Sequence, residues 1–395
     1  MEIREAVVVS GARTPTGVFG GTLSEINAPE LGAVVVKEAL KRAGITGDMV
    51  EEVIVGTHFQ AGIKANSARQ AAVYAGLPVE VPAWTPNKNC GTGLKAVNLA
   101  AQMVMLGEAD IIVAGGCETM SRIPYMIHKH RFGARMGNEQ LLDSMMYDGL
   151  VDPFMNYHMG ITAENVAAKC GISRQLQDEF ALSSHLKAAK ARREGKFAGE
   201  IVPVEVKKRK ETVLFSEDES IREDISIEQL AKMKPVFKEG GTVTAGNASG
   251  INDGAAAVVI MSRTKARELG LKPLVAFRAF ASAGVDPSIM GYGPVPAIQK
   301  LLAKAGLKKE AIDLFELNEA FAAQAAACVK ELGLDPGKVN VNGGAVALGH
   351  PVGCTGARLL VTLMNELARR QARYGVISLC IGGGQGIATL VERCQ

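Results

Sequence analysis

An α/β fold made of two repeated units is predicted by three features of this 395-residue chain. Short Val- and Ile-rich runs alternate with amphipathic stretches of helical period. Glycine is abundant (44 residues) while aromatics make up only 5%, a composition suited to tight strand-to-helix turns. The second half of the chain also restates the element order of the first.

Taken in order, Val7 to Ser10 reads as a buried strand and Pro29 to Ala43 as an amphipathic helix closed by Gly44, where a positive φ is expected. Glu52 to Val55 is the next strand, followed by a helix from Ser67 to Gly76 and a Pro-rich approach from Pro78 to Asn89. A helix starting at Cys90 places Leu94, Val97, Ala101 and Val104 on one face, and Asp110 to Ala114 returns as a strand. The repeat then becomes visible. Ala43-Gly44-Ile45 is echoed by Ala305-Gly306-Leu307, Val53 to Val55 by Phe315 to Leu317, Gly93 by Gly356, Asp110 to Ala114 by Gly375 to Leu379, and Ala255 to Ser262 by Ile387 to Glu392. The expected division is 1–116 with 253–272 as the first unit, 273–395 as the second, and 117–252 as an insertion without counterpart. That insertion carries Met, His and Arg clusters and a polar helix from Ser173 to Arg193, and its place at one end of a sheet suits a substrate-binding element.

Forty-four Lys+Arg against 41 Asp+Glu leave a formal charge of only +3, so no nucleic-acid partner is expected. The basic run Lys207 to Lys210 is surrounded by Glu205, Glu211, Glu217 and Asp218 and reads as a solvated strand edge. The seven cysteines form no CxxC pair, which points away from a disulfide framework or zinc site and toward a reducing compartment. Without an apolar run of roughly 18 residues or a basic leader, the chain is expected to be cytoplasmic and free of the membrane.

Chemistry concentrates in four segments. Asn87-Lys88-Asn89-Cys90-Gly91-Thr92-Gly93 places a cysteine where a loop enters a helix, where first-turn amides favour a thiolate; a buried structural cysteine is the plainer alternative. Gly349-His350-Pro351-Val352-Gly353-Cys354-Thr355-Gly356 occupies the equivalent position of the second unit, so His350 could face Cys90 across a shared cleft. His350 and Cys354 lie four apart, but with Pro351 between them and no further ligands nearby in sequence, no metal is expected. Cys380-Ile381-Gly382-Gly383-Gly384-Gln385-Gly386 ends a strand with a second cysteine before a glycine turn, and Asn318-Glu319-Ala320-Phe321-Ala322 ends another strand with Asn318 read as a helix N-cap.

These four segments, in this order and spacing, resemble the thiolase family. Gly11-Ala12-Arg13-Thr14-Pro15, His158-Met159-Gly160-Ile161-Thr162-Ala163-Glu164 and Gly246-Asn247-Ala248-Ser249-Gly250 extend the resemblance over nearly the whole chain. It implies a thiolase-like fold layered α-β-α-β-α with an inserted loop domain. It also implies a site in which Cys90 carries an acyl group, His350 helps deprotonate it, Cys380 moves an α-proton and Asn318 holds a water. One oxyanion hole would come from His350 with that water, another from the amides of Cys90 and Gly382. Coenzyme A, as substrate and product rather than resident cofactor, would meet Leu150, His158, Met159, Arg222, Phe237, Ser249 and Phe321. Met290 would line the acyl pocket; Tyr292, two positions on and so on the same side if the segment is extended, would narrow it, stack on an aromatic acyl group, or lie on the outer surface. The implied reaction exchanges two acetyl-CoA for acetoacetyl-CoA and coenzyme A in a homodimer or homotetramer. The alternatives are a thiolase for longer or aromatic 3-oxoacyl-CoA, and an acyl-CoA-binding subunit without turnover. Cysteine at 380 speaks against a ketosynthase, and the absence of GxGxxG and GxxxxGK[ST] against dinucleotide and phosphate-loop enzymes. Thr92 replaces the family's usual serine but keeps the hydroxyl.

Overall fold

Among the described residues, nine strands follow one another through a single mixed sheet. They are β1 (Ala6–Arg13), β2 (Glu52–Gly56), β3 (Ala83–Trp84), β4 (Ile111–Thr119), β5 (Asn252–Ser262), β6 (Val275–Gly284), β7 (Leu314–Leu317), β8 (Tyr374–Ile381) and β9 (Gln385–Arg393). Their order is β7-β8-β9-β6-β1-β5-β4-β2-β3, with Gly17–Val18 adding a short tenth member beside β5. The computed structural model describes residues 3–208 and 211–394, so Arg209 and Lys210 of the basic run lie outside the described residues. Lys207 is exposed on the hairpin strand Val204–Lys208.

The repeat is explicit in the pairing. Parallel β2–β4, antiparallel β4–β5 and antiparallel β5–β1 are matched by parallel β7–β8, antiparallel β8–β9 and antiparallel β9–β6. The halves join where β1 and β6 run antiparallel at Val7 with Ala276 and Val8 with Val275. Because twist accumulates across so many strands, the sheet wraps into two faces that enclose a helical layer. This middle layer is α3 (Thr92–Leu106) against α8 (Thr355–Arg370), whose Leu94, Val97, Ala101, Leu359, Leu363 and Leu367 pack with strand residues of both halves. On the outside, α1 (Ala28–Ala43) and α2 (Ser67–Tyr74) cover the first half, and α6 (Pro294–Ala305) and α7 (Ala322–Leu332) the second. These are the five layers expected.

Glycine sets the distance between the two central helices. A Cβ on Gly356 would come within 2.3 Å of Leu94 N, and one on Gly93 within 2.8 Å of the Gly353 carbonyl. A methyl at either place would force the helix starts apart at a cost of about 1–3 kcal/mol, so the repeated glycine is what lets the two helix N-termini meet. As expected, α1 and α6 end on left-handed Gly44 and Gly306.

Between β4 and β5 the chain makes a long excursion, beginning at residue 120 rather than 117 because β4 continues to Thr119. It contains α4 (Met159–Cys170) and the polar helix α5 (Arg174–Arg193), with Ser173 as its N-cap rather than its first residue. Two buried clusters tie it to the second unit. Met159, Ala163 and Val166 of α4 pack on Met290, Phe321 and Ala323, while Ala181 of α5 packs on Ala322 and Val346. Glu164 accepts the amides of Thr242 and Val243 and fixes the return of the excursion toward the sheet.

Candidate active site

The loop before α3 is shaped by its asparagines. Asn89 adopts φ 45°, a left-handed conformation that asparagine tolerates, and its amide donates to Asn87 Oδ1 at 3.0 Å. Thr92 Oγ1 accepts the Lys88 amide at 2.7 Å, which is why a hydroxyl must stand there, and its methyl occupies the space left open by Gly56. Cys90 is thereby presented, half-buried, at the head of a pocket. One expectation is corrected here. The Gly91 N–H is taken by Lys88 O and the Thr92 N–H by Asn89 O, so neither of these amides is free for the sulfur. The amides that favour its thiolate are those of Gly382 and of Cys90 itself. Burial outweighs them and pushes the resting thiol above its ordinary value.

His350 enters from the second unit and is buried, its amide held by Asn252 Oδ1 at 2.9 Å. Proton counting assigns its tautomer. Thr355 Oγ1 donates its single proton to Pro351 O at 2.8 Å, so it must accept from His350 Nδ1 at 2.7 Å. Nδ1 therefore carries the proton and Nε2 the lone pair, facing Asn318 Nδ2 at 3.4 Å. Burial, with Arg358 and His58 nearby, pushes the imidazole down to about 3 and keeps it neutral. Thr355 lies inside a segment already singled out, yet its part in fixing the tautomer becomes visible only through this hydrogen-bond chain.

Asn318 is not a helix N-cap. α7 begins four residues later with Phe321 at the cap, because Ala322 N–H is claimed by Asn247 O and Ala248 bridges Phe321. Asn318 is left buried, its Oδ1 without a partner among the described residues. Cys380 sits near the end of β8, fully buried against Met159, Met290 and Phe321. Its thiol is pushed well up by burial and then by the nearby Cys90 sulfur, since two negative sulfurs repel. The tight turn after it is made by Gly383 and Gly384, both at φ 85°.

The pocket has a volume of about 340 Å³ and brings together Cys90, His350, Gly382, Leu150, His158, Met159, Phe237, Ser249, Met290 and Phe321. His158 stacks on Phe237 with ring centroids 4.5 Å apart, and its Nδ1 accepts the Gly160 amide at 2.9 Å, leaving Nε2–H as a donor. Gly160 is required because a Cβ there would strike the Phe237 ring at 2.2 Å. Four expected residues do not line the pocket. Cys380 packs on its lining residues Met159, Met290 and Phe321, and Asn318 stands against His350, so both adjoin it without lining it. The other two lie away from it. Arg222 is exposed outside the lining, its amide bonded to His185 Nδ1. Tyr292 points elsewhere, its hydroxyl on Glu331 at 3.2 Å and its ring under Lys169. The segment Pro287–Tyr292 is a 3₁₀ turn rather than an extended strand, so residues two apart do not share a face. Three residues to which the sequence reading gave no role also contribute, Asn89 inside the cysteine segment and His58 and Glu118 outside every motif. His58 and Asn89 line the pocket, and Glu118 clamps the two units by accepting amides of His58, Phe59 and Gly353.

A sulfur nucleophile with a neutral base and two convergent amides, set in an apolar pocket, defines a class: enzymes that carry an acyl group on cysteine. The family models for the thiolase N-terminal domain and the thiolase C-terminal domain match residues 6–264 and 271–393. The chain is 55% identical to the acetyl-CoA acetyltransferase of Cupriavidus necator, over 98% of this chain and 99% of that one. Among solved structures, the acetyl-CoA acetyltransferase of Bacillus anthracis superposes with a TM-score of 0.98 at 47% identity over the whole of both chains. Human mitochondrial 3-ketoacyl-CoA thiolase gives 0.96 at 42% identity, over 99% of both. The chain belongs to the thiolase family. It is an acyltransferase, and no helix among the described residues is long and apolar enough to cross a membrane.

Proposed function

We propose that this enzyme interconverts two acetyl-CoA with acetoacetyl-CoA and coenzyme A through an acyl group on Cys90. The observation that carries the reading is the His350 tautomer, which presents a lone pair on Nε2 and so makes a neutral base rather than a preformed ion pair. Cys90 Sγ attacks the thioester carbon while its proton passes to Nε2. The bond to the coenzyme A sulfur breaks, and that sulfur leaves with the proton of Cys380. What remains is acyl-Cys90, an imidazolium at His350 and a thiolate at Cys380. This is the state that condensation needs, because a base and an oxyanion donor now flank the second thioester. It is also the state in which Cys380 can hold charge, since Cys90 no longer can. Cys380 takes the α-proton, and the enolate oxygen is held by Nε2–H and a water on Asn318. The new carbon–carbon bond forms at the acyl carbon, whose oxygen is held by the amides of Cys90 and Gly382. Cys90 then departs as thiolate and recovers its proton from His350.

Coenzyme A is proposed to lie along the wall made by the excursion between β4 and β5, with its pantetheine arm against Leu150, Met159, Phe237 and Phe321 and with His158 Nε2–H and Ser249 as polar contacts. Arg222, being exposed, can meet only the phosphate end of the nucleotide. Met290 is buried at the acyl end and occupies the volume a longer chain would need. Thiolysis efficiency is therefore expected to fall steeply as the 3-oxoacyl chain lengthens beyond acetoacetyl-CoA. Met290→Ala should relax that fall by several-fold per added carbon, at about 0.8 kcal/mol per buried methylene. Tyr292→Ala should leave it unchanged. A kinetic series over chain length decides the matter, and wild-type efficiency that rises with length would reassign the enzyme to longer 3-oxoacyl-CoA.

The chain is further proposed to act in the cytoplasm, which its seven free thiols support, and in fatty-acid metabolism. A homodimer or homotetramer is proposed, with the two-residue edge strand β3 and exposed Val73, Tyr74 and Val79 offering surface to cover. Sedimentation should give two or four chain masses, and a stable active monomer would defeat this.

A further inference from the structure

The pocket wall beside Cys90 is apolar at Phe59, Met120 and Val352, but two polar groups interrupt it, His58 and Asn89. His58 follows β2 and is only 9% exposed. Its protonation follows from its neighbour. Asn87 Nδ2 donates to the His58 carbonyl at 3.0 Å and Asn87 Oδ1 accepts the Asn89 amide, so the atom facing His58 Nδ1 at 3.3 Å is an oxygen. Nδ1 therefore carries the proton, and Nε2 is an acceptor with no hydrogen-bond partner among the described residues. It stands against Gly149, where a Cβ would lie only 3.0 Å from it. Burial disfavours the imidazolium and keeps this ring neutral. Asn89 donates through Nδ2 to Gly382 O at 3.0 Å, which leaves its Oδ1 as a second unpartnered acceptor next to the nucleophile.

Two uncharged acceptors in an apolar wall select for a hydroxyl. A methyl in that place would leave both acceptors dry and unpaired, and a carboxylate would bring like charge against their lone pairs. Resting on the acyl-Cys90 reading above, we infer that the acyl subsite takes short hydroxyacyl thioesters, with the hydroxyl on the first or second carbon beyond the carbonyl and donated to His58 Nε2 or Asn89 Oδ1. The transfer is the one already described: the Cys90 proton goes to His350, and coenzyme A leaves with the proton of Cys380.

Isosteric pairs provide the test, since hydroxyacetyl-CoA matches propionyl-CoA and 3-hydroxypropionyl-CoA matches butyryl-CoA in shape. Acylation of Cys90 by each is timed by mass spectrometry in wild type, His58→Val and Asn89→Leu. In wild type at least one hydroxylated thioester should outpace its partner by about tenfold or more, and the ratio should fall toward one or invert in the variants. Wild-type preference for both alkyl partners overturns the inference without needing either variant to fold. So does a hydroxyl preference that both folded variants retain. Acetyl-CoA serves as the control: if it labels Cys90 while no hydroxyl preference exists, only this inference falls. If no thioester labels Cys90, the acyl-enzyme reading falls and takes the inference with it.

Discussion

Replacing Cys380 with serine is expected to lower steady-state turnover by about 10²–10⁴-fold while Cys90 still takes up one acetyl group per site. The reason lies in the order of charges. Cys380 is buried beside Cys90, and its thiol is held high by desolvation and by the neighbouring sulfur, so it cannot ionise until Cys90 is esterified. A serine hydroxyl in the same place is far too weak an acid to become the base for the α-proton. Coenzyme A is a good enough leaving group to depart without help, so acylation should slow but persist. Quenched-flow mass spectrometry separates the two steps. If Cys380→Ser abolishes acylation as fully as Cys90→Ala does, the division of labour between the cysteines is wrong.

Alkylation of the resting enzyme by iodoacetamide should rise about tenfold per pH unit from pH 6 to 8, close to a hundredfold in all. Burial raises the Cys90 thiol and pushes His350 down to about 3, so both are neutral across this window and only the small thiolate fraction reacts. Because the Cys90 pKa lies above the window, that fraction keeps growing with pH. Because that of His350 lies below it, the base does not titrate. A rate already flat above pH 6 would reveal a thiolate–imidazolium pair and contradict the proton inventory on which the mechanism rests. Timed acylation by acetyl-CoA reads Thr355 as a positioning residue. Thr355→Val removes the acceptor for Nδ1–H and frees the ring to take the other tautomer, so acylation by acetyl-CoA should slow by about tenfold or more. Thr355→Ser should restore it, with KM unmoved throughout, whereas a merely structural role would not be rescued in this selective way.

Much of this was legible in the sequence because the repeat is written in residues that pack. The apolar face of α3, the matching glycines 93 and 356 and the strand echoes all report local periodicity or close approach, which sequence displays directly. Cys90 and His350 could be paired for the same reason, as equivalent loop-to-helix positions of two units. What escaped depended on details that local pattern does not carry. The Gly91 and Thr92 amides at the start of α3 are taken by Lys88 O and Asn89 O, and the amide that favours the Cys90 thiolate comes from Gly382 of the other unit. Asn318 looked like a cap because it follows a strand, but the helix waits for Phe321. Tyr292 was given a period of two that a 3₁₀ turn does not have. His58 belongs to no motif, and only the fold brings it to the pocket.

The account stands most directly on where the acyl group goes. Enzyme incubated with acetyl-CoA, quenched in acid and digested should yield one acetylated peptide containing Cys90, a mass that coenzyme A or a second acetyl-CoA removes. Peptides carrying Cys380, Cys328 and Cys354 should remain unmodified. A stable acetyl group on any of those three, with Cys90 free, would contradict the assignment of the nucleophile and the mechanism derived from it.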